Sequence, residues 1–228
     1  CSFVQMGPSF RDSSDRDHDF LAHTGKRVGG NDLDIALSYH ALMPLLGLGS
    51  QFKSGLPLPN QAFWQACKIN DVNLQSQFYS QSHHRELLTQ LREVQAPELF
   101  QRLIDLQQNK QGHQLVQQGE AAKIALSSVT GYDCELGFLA PQLHKVLSRA
   151  DLAVAVDDSI MQIVSLAKQA IKDAGTVPDV IYLTGGSAQS PLIKAALVEH
   201  LGDIKMVNGD HFGSVTAGLT KWASILYR

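Results

Sequence analysis

Apolar positions along the chain change period several times, and each change marks a different kind of element. Ser2–Met6 alternates weakly and stops at Gly7-Pro8. Arg11–Asp19 is a run of charges and serines, and Phe20–Thr24 returns as a second short strand. Two strands around a polar loop predict a hairpin. Val28-Gly29-Gly30-Asn31-Asp32-Leu33-Asp34 follows. Asn31 or Asp32 can cap a helix there, and Asp34 adds a carboxylate to its first turn. That helix carries Leu33, Ile35, Leu37 and Ala41, and Pro44 should kink or end it.

Gly47–Asn60 is punctuated by Gly and Pro and reads as a loop. From Gln51 to Gln118 the chain is Gln-rich, yet its stripes are helical. Leu87, Leu88, Leu91 and Val94 form one stripe; Leu99, Leu103, Ile104 and Leu106 form another after Pro97. Val116–Leu126 is a further helix. Cys134–Leu139 reads as a short strand, and Leu143, Val146 and Leu147 as a helical stretch ending near Ala150. Asp157 or Asp158 is expected to cap a strong helix with Ile160, Ile163, Val164, Ala167 and Ile171 on one face. The last third has an α/β rhythm. Val180–Leu183 is a continuous apolar run, as a buried strand should be. Thr184-Gly185-Gly186-Ser187 makes a tight loop. A helix through Leu192–Leu197, a strand Ile204–Val207 and a final helix marked by Phe212, Val215, Leu219, Trp222 and Leu226 complete the chain.

Composition narrows the classes. The 228 residues are 44% hydrophobic and 18% charged, which excludes disorder, collagen and coiled coil. The net charge of -3 comes with no basic stripe of the kind a nucleic-acid binder shows. Three scattered cysteines, Cys1, Cys67 and Cys134, without a C-x-x-C pair, point away from a disulfide framework and towards a reducing compartment. No apolar run approaches a membrane span, and no secretory signal pattern is present. The chain opens on Cys1 without Met, as though a strand were under way, and is expected to be a fragment of a longer protein.

Several residue groups carry candidate chemistry. A strand running into Gly-Gly-Ser and then a helix lets a ligand approach backbone N–H groups at a positive dipole end. A tight turn without a ligand explains the same residues. Gly29-Gly30 with Asp32 and Asp34 admits a phosphate or sugar reading, but an acidic helix start suffices. Glu120 and Lys123, three apart, make either a surface ion pair or a polar pair facing a nucleoside. His83-His84 point in different directions on a helix, and no second Cys/His cluster has ligand spacing. A P-loop and a Gly-x-Ser-x-Gly elbow are both absent from the sequence. Cys67 and Cys134 read as small core residues.

In order, these pieces resemble the DnaK-type heat-shock chaperone family. Val28–Asp34 is similar to its Gly-Gly-x-Asp-Phe-Asp segment. Glu120–Ser128 resembles its Glu-x-Ala-Lys-x-x-Leu-Ser helix, and Leu183–Pro191 its adenosine loop, Leu-x-Gly-Gly-Ser-x-x-x-Pro. Phe212–Gly218 sits where the family has a closing Asp-Glu-x-Val-x-x-Gly. The resemblance covers residue 20 to the end and is closest to the divergent YegD-type branch.

The resemblance implies an α/β, actin-like ATPase (ribonuclease H-like) fold, of which this chain is the second lobe. Its inner subdomain would be residues 1–29 plus 149–228 around a mixed sheet. Residues 30–148 would be a mostly helical outer subdomain. The function implied is binding of the adenosine end of ATP or ADP, with Mg²⁺ held through the nucleotide. Hydrolysis would require the first lobe, so this chain alone is expected to be inactive as an ATPase. The binding residues carried over are Gly30, Glu120, Lys123, Ser127, Gly185, Gly186 and Ser187. No catalytic or metal ligand is carried over. Two family arginines are replaced, by Ile124 and Gln189, which removes cation–π stacking on adenine. Cytoplasmic location, and unfolded clients or co-chaperones as partners, are implied as well; nucleic acid and membrane are not. Two other readings are a lobe of an actin-fold sugar kinase and a non-enzymatic partner-binding module that has lost the nucleotide.

Overall fold

The computed structural model describes residues 1–7, 17–209 and 213–227. Pro8, most of the expected charged loop, and Asp210 and Phe212 of the expected closing segment lie outside the described residues. The chain divides into two units, Cys1–Gly30 with Asp158–Arg228, and Asn31–Asp157. Arg149–Asp157 therefore goes with the helical unit.

In the first unit, β1 (Ser2–Val4) and β2 (Phe20–His23) pair antiparallel, as the alternation predicts. A register shift falls between Phe3 and Val4. Thr24 follows β2 and donates its hydroxyl to the Leu166 carbonyl at 2.9 Å. Leu166 lies on the long helix α7 (Arg149–Ala174), so this bond ties the hairpin to that helix. β5 (Val180–Leu183) and β6 (Lys205–Asn208) pair in parallel through the crossover helix α8 (Pro191–Leu201). α9 (Ser214–Leu226) ends the chain with no buried residue. Two expectations change here. The single mixed sheet is replaced, among the described residues, by separate two-stranded pairs. Nor is β5 buried on both faces: Val180 and Tyr182 are 46% and 57% exposed, so the strand covers one face only.

The second unit holds the core. All twelve of the largest fully buried side chains lie in it, from Ile35 to Leu106, including Phe63, Phe78 and Phe100. α1 (Gly30–Leu37) runs into a π-helical turn, Ser38–Leu42, and then a 3-10 turn, Met43–Leu46. Pro44 has no N–H to give the ladder, which accounts for the broken helix. Gly47, at φ 103°, closes it in the left-handed region. Helices α2 (Gln61–Cys67), α3 (Val72–Phe78), α4 (Gln81–Leu91), α5 (Pro97–Gln108) and α6 (Gly112–Leu126) follow. Asp71 caps α3 and Ser80 caps α4 with side-chain oxygens.

Two further expectations are corrected in this unit. β3 (Gly131–Glu135) pairs antiparallel with β4 (His144–Ser148), so Val146 and Leu147 belong to a strand rather than a helix. Their three- and four-residue spacing from Leu143 mimics a helical face, but Val146 is 60% exposed while Leu147 is buried, which is strand alternation. The strand expected at Cys134–Leu139 begins earlier and stops at Glu135, where the Leu136 N–H turns to the Leu143 carbonyl. Likewise α7 starts at Arg149, well before Asp157. Ser148 and Asp151 form a reciprocal cap: the Asp151 N–H donates to Ser148 Oγ at 3.2 Å, and the Ser148 N–H donates to Asp151 Oδ2 at 2.8 Å.

Candidate functional site

Gly185, Gly186 and Ser187 belong to the first unit, and Glu120, Lys123 and Ser127 to the second. In the first unit the parallel pair β5–β6 brings two strand ends together. The Gly209 N–H, just after β6, donates to the Leu183 carbonyl at the end of β5, at 2.9 Å. Thr184 Oγ1 then meets Ser214 Oγ, the first residue of α9, at 2.5 Å. The turn itself is carried by Gly185, at φ 89° and ψ 159°, a conformation side chains rarely adopt. Among the described residues no atom lies within 4 Å of where its Cβ would be. Gly186–Gln189 makes one 3-10 turn, and Pro191 starts α8 with its fixed φ. The arrangement is a side-chain-poor loop at the carboxyl ends of parallel strands, where open α/β sheets take ligands. Sequence reasoning passed over Gly209. A Cβ there would meet the tip of the exposed Tyr182 ring, which would have to turn aside.

In the second unit Lys123 pairs with Asp34. Its ammonium lies 2.6 Å from Asp34 Oδ1, with side-chain exposures of 20% and 6%. The residue expected to serve as a helix-start carboxylate is thus a buried partner of the Glu-x-x-Lys helix. Burial pushes the Asp34 carboxyl above the usual carboxylate range; Lys123 pulls it back, while Glu120 and Asp32 add to the rise. Asp32 is bound separately, by Lys68 at 3.2 Å and by the Asn70 amide at 3.2 Å. Lys68 also lies 5.1 Å from the Trp64 ring centre, within cation–π range.

α6 and α1 come this close because Gly119 faces α1. A Cβ on Gly119 would stand 2.9 Å from the Asp34 carbonyl and would strike Ser38 Oγ. Glu120 and Ile124 are exposed on α6, and the Ser127 hydroxyl donates to the Ile124 carbonyl at its C-terminal end. Gly30 is the first residue of α1.

Neither internal thiol has nucleophile character. Burial pushes Cys67 far above the ordinary thiol range and Cys134 up to about 11. Among the described residues no group of three or more His, Cys, Asp or Glu is placed to hold a metal ion. Nor, among them, is any helix long and apolar enough to cross a membrane.

A glycine loop at the ends of parallel strands, in one chain with a helical unit, places the protein in the broad α/β class. The particular family is given by sequence comparison. The family model described as Hsp70 protein matches residues 92–227, and the chain belongs to that family, whose fold is the actin-like ATPase. Among curated proteins it is 32% identical over 109 residues to the chaperone protein DnaK of Trichormus variabilis, covering 43% of this chain and 16% of the relative. It is also 32% identical over 111 residues to the chaperone protein DnaK of Thermus thermophilus, covering 43% of this chain and 18% of the relative. The match to chaperone protein dnaK1 of Nostoc sp. has the same identity over 109 residues. The aligned part spans less than a fifth of each relative's length.

Proposed function

We propose that this chain is the second lobe of the ATP-binding domain of an Hsp70-type chaperone, and that it receives the adenosine end of ATP or ADP. The observation that carries the reading is the Gly185-Gly186-Ser187 loop at the end of β5, lying inside the family-matched stretch. The absence of any described atom within 4 Å of the Gly185 Cβ position fits a nucleoside approaching backbone atoms. Glu120, Lys123 and Ser127 would supply the polar edge for the ribose, exposed Ile124 an apolar face for the base, and Gly30 a backbone position near the phosphates. Residues 1–29 and 149–228 would act as the inner subdomain and 30–148 as the outer one, although Arg149–Asp157, the first turns of α7, cluster with the helical unit. Mg²⁺ would arrive on the nucleotide, as the family resemblance implies. The chemistry ATP supplies is a transferable phosphoryl group; this chain's residues bind and orient its nucleoside end. The family match favours this reading over a sugar kinase.

The exposed Ile124, standing where the family carries an arginine, favours a second reading, a partner-binding module without nucleotide. Titration of ATP and ADP against the complete natural polypeptide separates the two. Saturable binding is expected. Gly186→Leu, which fills the loop, and Glu120→Ala, on an exposed position, should each weaken it about tenfold, ~1.4 kcal/mol. Unchanged affinity in both variants defeats the site, and no binding at all favours the second reading.

A further inference from the structure

Helices α2, α3 and α4 of the second unit enclose a polar cleft of about 480 Å³. Its lining residues fall between Pro59 and Gln90, ahead of the residues 92–227 that the Hsp70 family model matches. We propose that this cleft is a binding site for a guanidinium group, carried by a small molecule or by an arginine side chain of a partner.

The charge of the wall supports a cation. It carries one carboxylate, Glu86, one imidazole, His83, and no Lys or Arg. Hydrogen-bond supply points the same way. Gln65 lines the cleft yet is only 2% exposed. Its amide nitrogen is spent on Gln77 Oε1 at 3.0 Å, and its Oε1 is buried with no partner among the described residues. A buried acceptor left unpaired is costly, and an incoming N–H donor would recover that cost. Gln77, which accepts from the Gln65 amide nitrogen, is exposed and can turn aside. Ser76 adds a hydroxyl oxygen from α3 and Glu86 a carboxylate from α4 around the same space. Acceptors spread over three helices suit a group with several donors in one plane. Guanidinium has five, and it sheds water more readily than an ammonium does.

The test is calorimetric titration of the whole chain with agmatine, with the peptide acetyl-Gly-Arg-Gly-amide, and with citrulline as the neutral isostere. Saturable binding of agmatine or the peptide is expected, with none for citrulline. Glu86→Gln and Gln65→Met should each weaken it at least tenfold. Tighter binding of the peptide assigns the group to a partner chain; tighter binding of agmatine assigns it to a small molecule. Should Gln65→Met fail to fold, Glu86→Gln decides alone, since Glu86 is exposed. The proposal is overturned if neither cationic probe saturates, if citrulline binds as well as agmatine, or if Glu86→Gln binds like the parent.

Discussion

At the scale of single residues, the helical unit turns on a missing methyl group. Gly119 lies in the middle of α6, where glycine ordinarily weakens a helix by roughly 1 kcal/mol relative to alanine. Here the balance reverses, because an alanine methyl would stand 2.9 Å from the Asp34 carbonyl and against Ser38 Oγ. Gly119→Ala should therefore destabilise the chain by about 1–3 kcal/mol, the usual range for overpacking. Gly137→Ala, with nothing among the described residues within 4 Å of its new Cβ, should change stability by less than about 0.5 kcal/mol. Urea unfolding of the two variants checks this; equal stabilities would mean the helices separate at no cost. The sequence points to Asp34 and Lys123 as polar residues worth noting but not as partners. Their 2.6 Å pairing joins positions 89 residues apart, and no local period encodes such a distance.

At the scale of elements, α7 shows how a start signal can be hidden. The Ser148 and Asp151 side chains hold the first turn reciprocally, so Ser148→Ala should cost about 1 kcal/mol at neutral pH, as lost caps do. The Ser148 hydroxyl and N–H hold the Asp151 carboxyl below its ordinary value of 3.8. A lowered folded value means this contribution is complete above pH 3.8 and fades as pH falls through the folded value. The difference between parent and Ser148→Ala should accordingly shrink between pH 7 and pH 2. Unfolding curves at both pH values test this, and a constant difference would remove Asp151 from the cap. Reading Asp157 or Asp158 as the cap failed because two adjacent carboxylates before a strong stripe look like a helix start. The earlier Ser-x-x-Asp pattern at Ser148 was masked by misreading β4 as helix. Helices α1, α5, α6 and α8 were legible from spacing and proline placement, since one face of each is buried.

At the scale of the whole molecule, the order of four short motifs was enough to point to the family, and comparison of residues 92–227 shows it. The loop at Gly185 was legible because glycine pairs after an apolar run announce a turn with positive φ. Its surroundings were not, since Thr184 meets Ser214 across 30 residues. The two-stranded β5–β6 pair has a further consequence. Isolated pairs of strands are marginal in water, and parallel strands ordinarily lie under helices on both faces. This pair leaves Val180, Tyr182 and Val207 at the surface, whereas Leu103, Ile104, Leu115 and Val116 are almost fully enclosed. Backbone amides should then exchange with deuterium at very different rates. We expect those of Val180–Leu183 to exchange roughly a hundredfold faster than those of Leu103–Leu106, as local opening precedes global unfolding. Uniform protection, read peptide by peptide by mass spectrometry, would contradict this. A single melting temperature would then report the helical unit alone, and the glycine turn would ride on the segment that opens first.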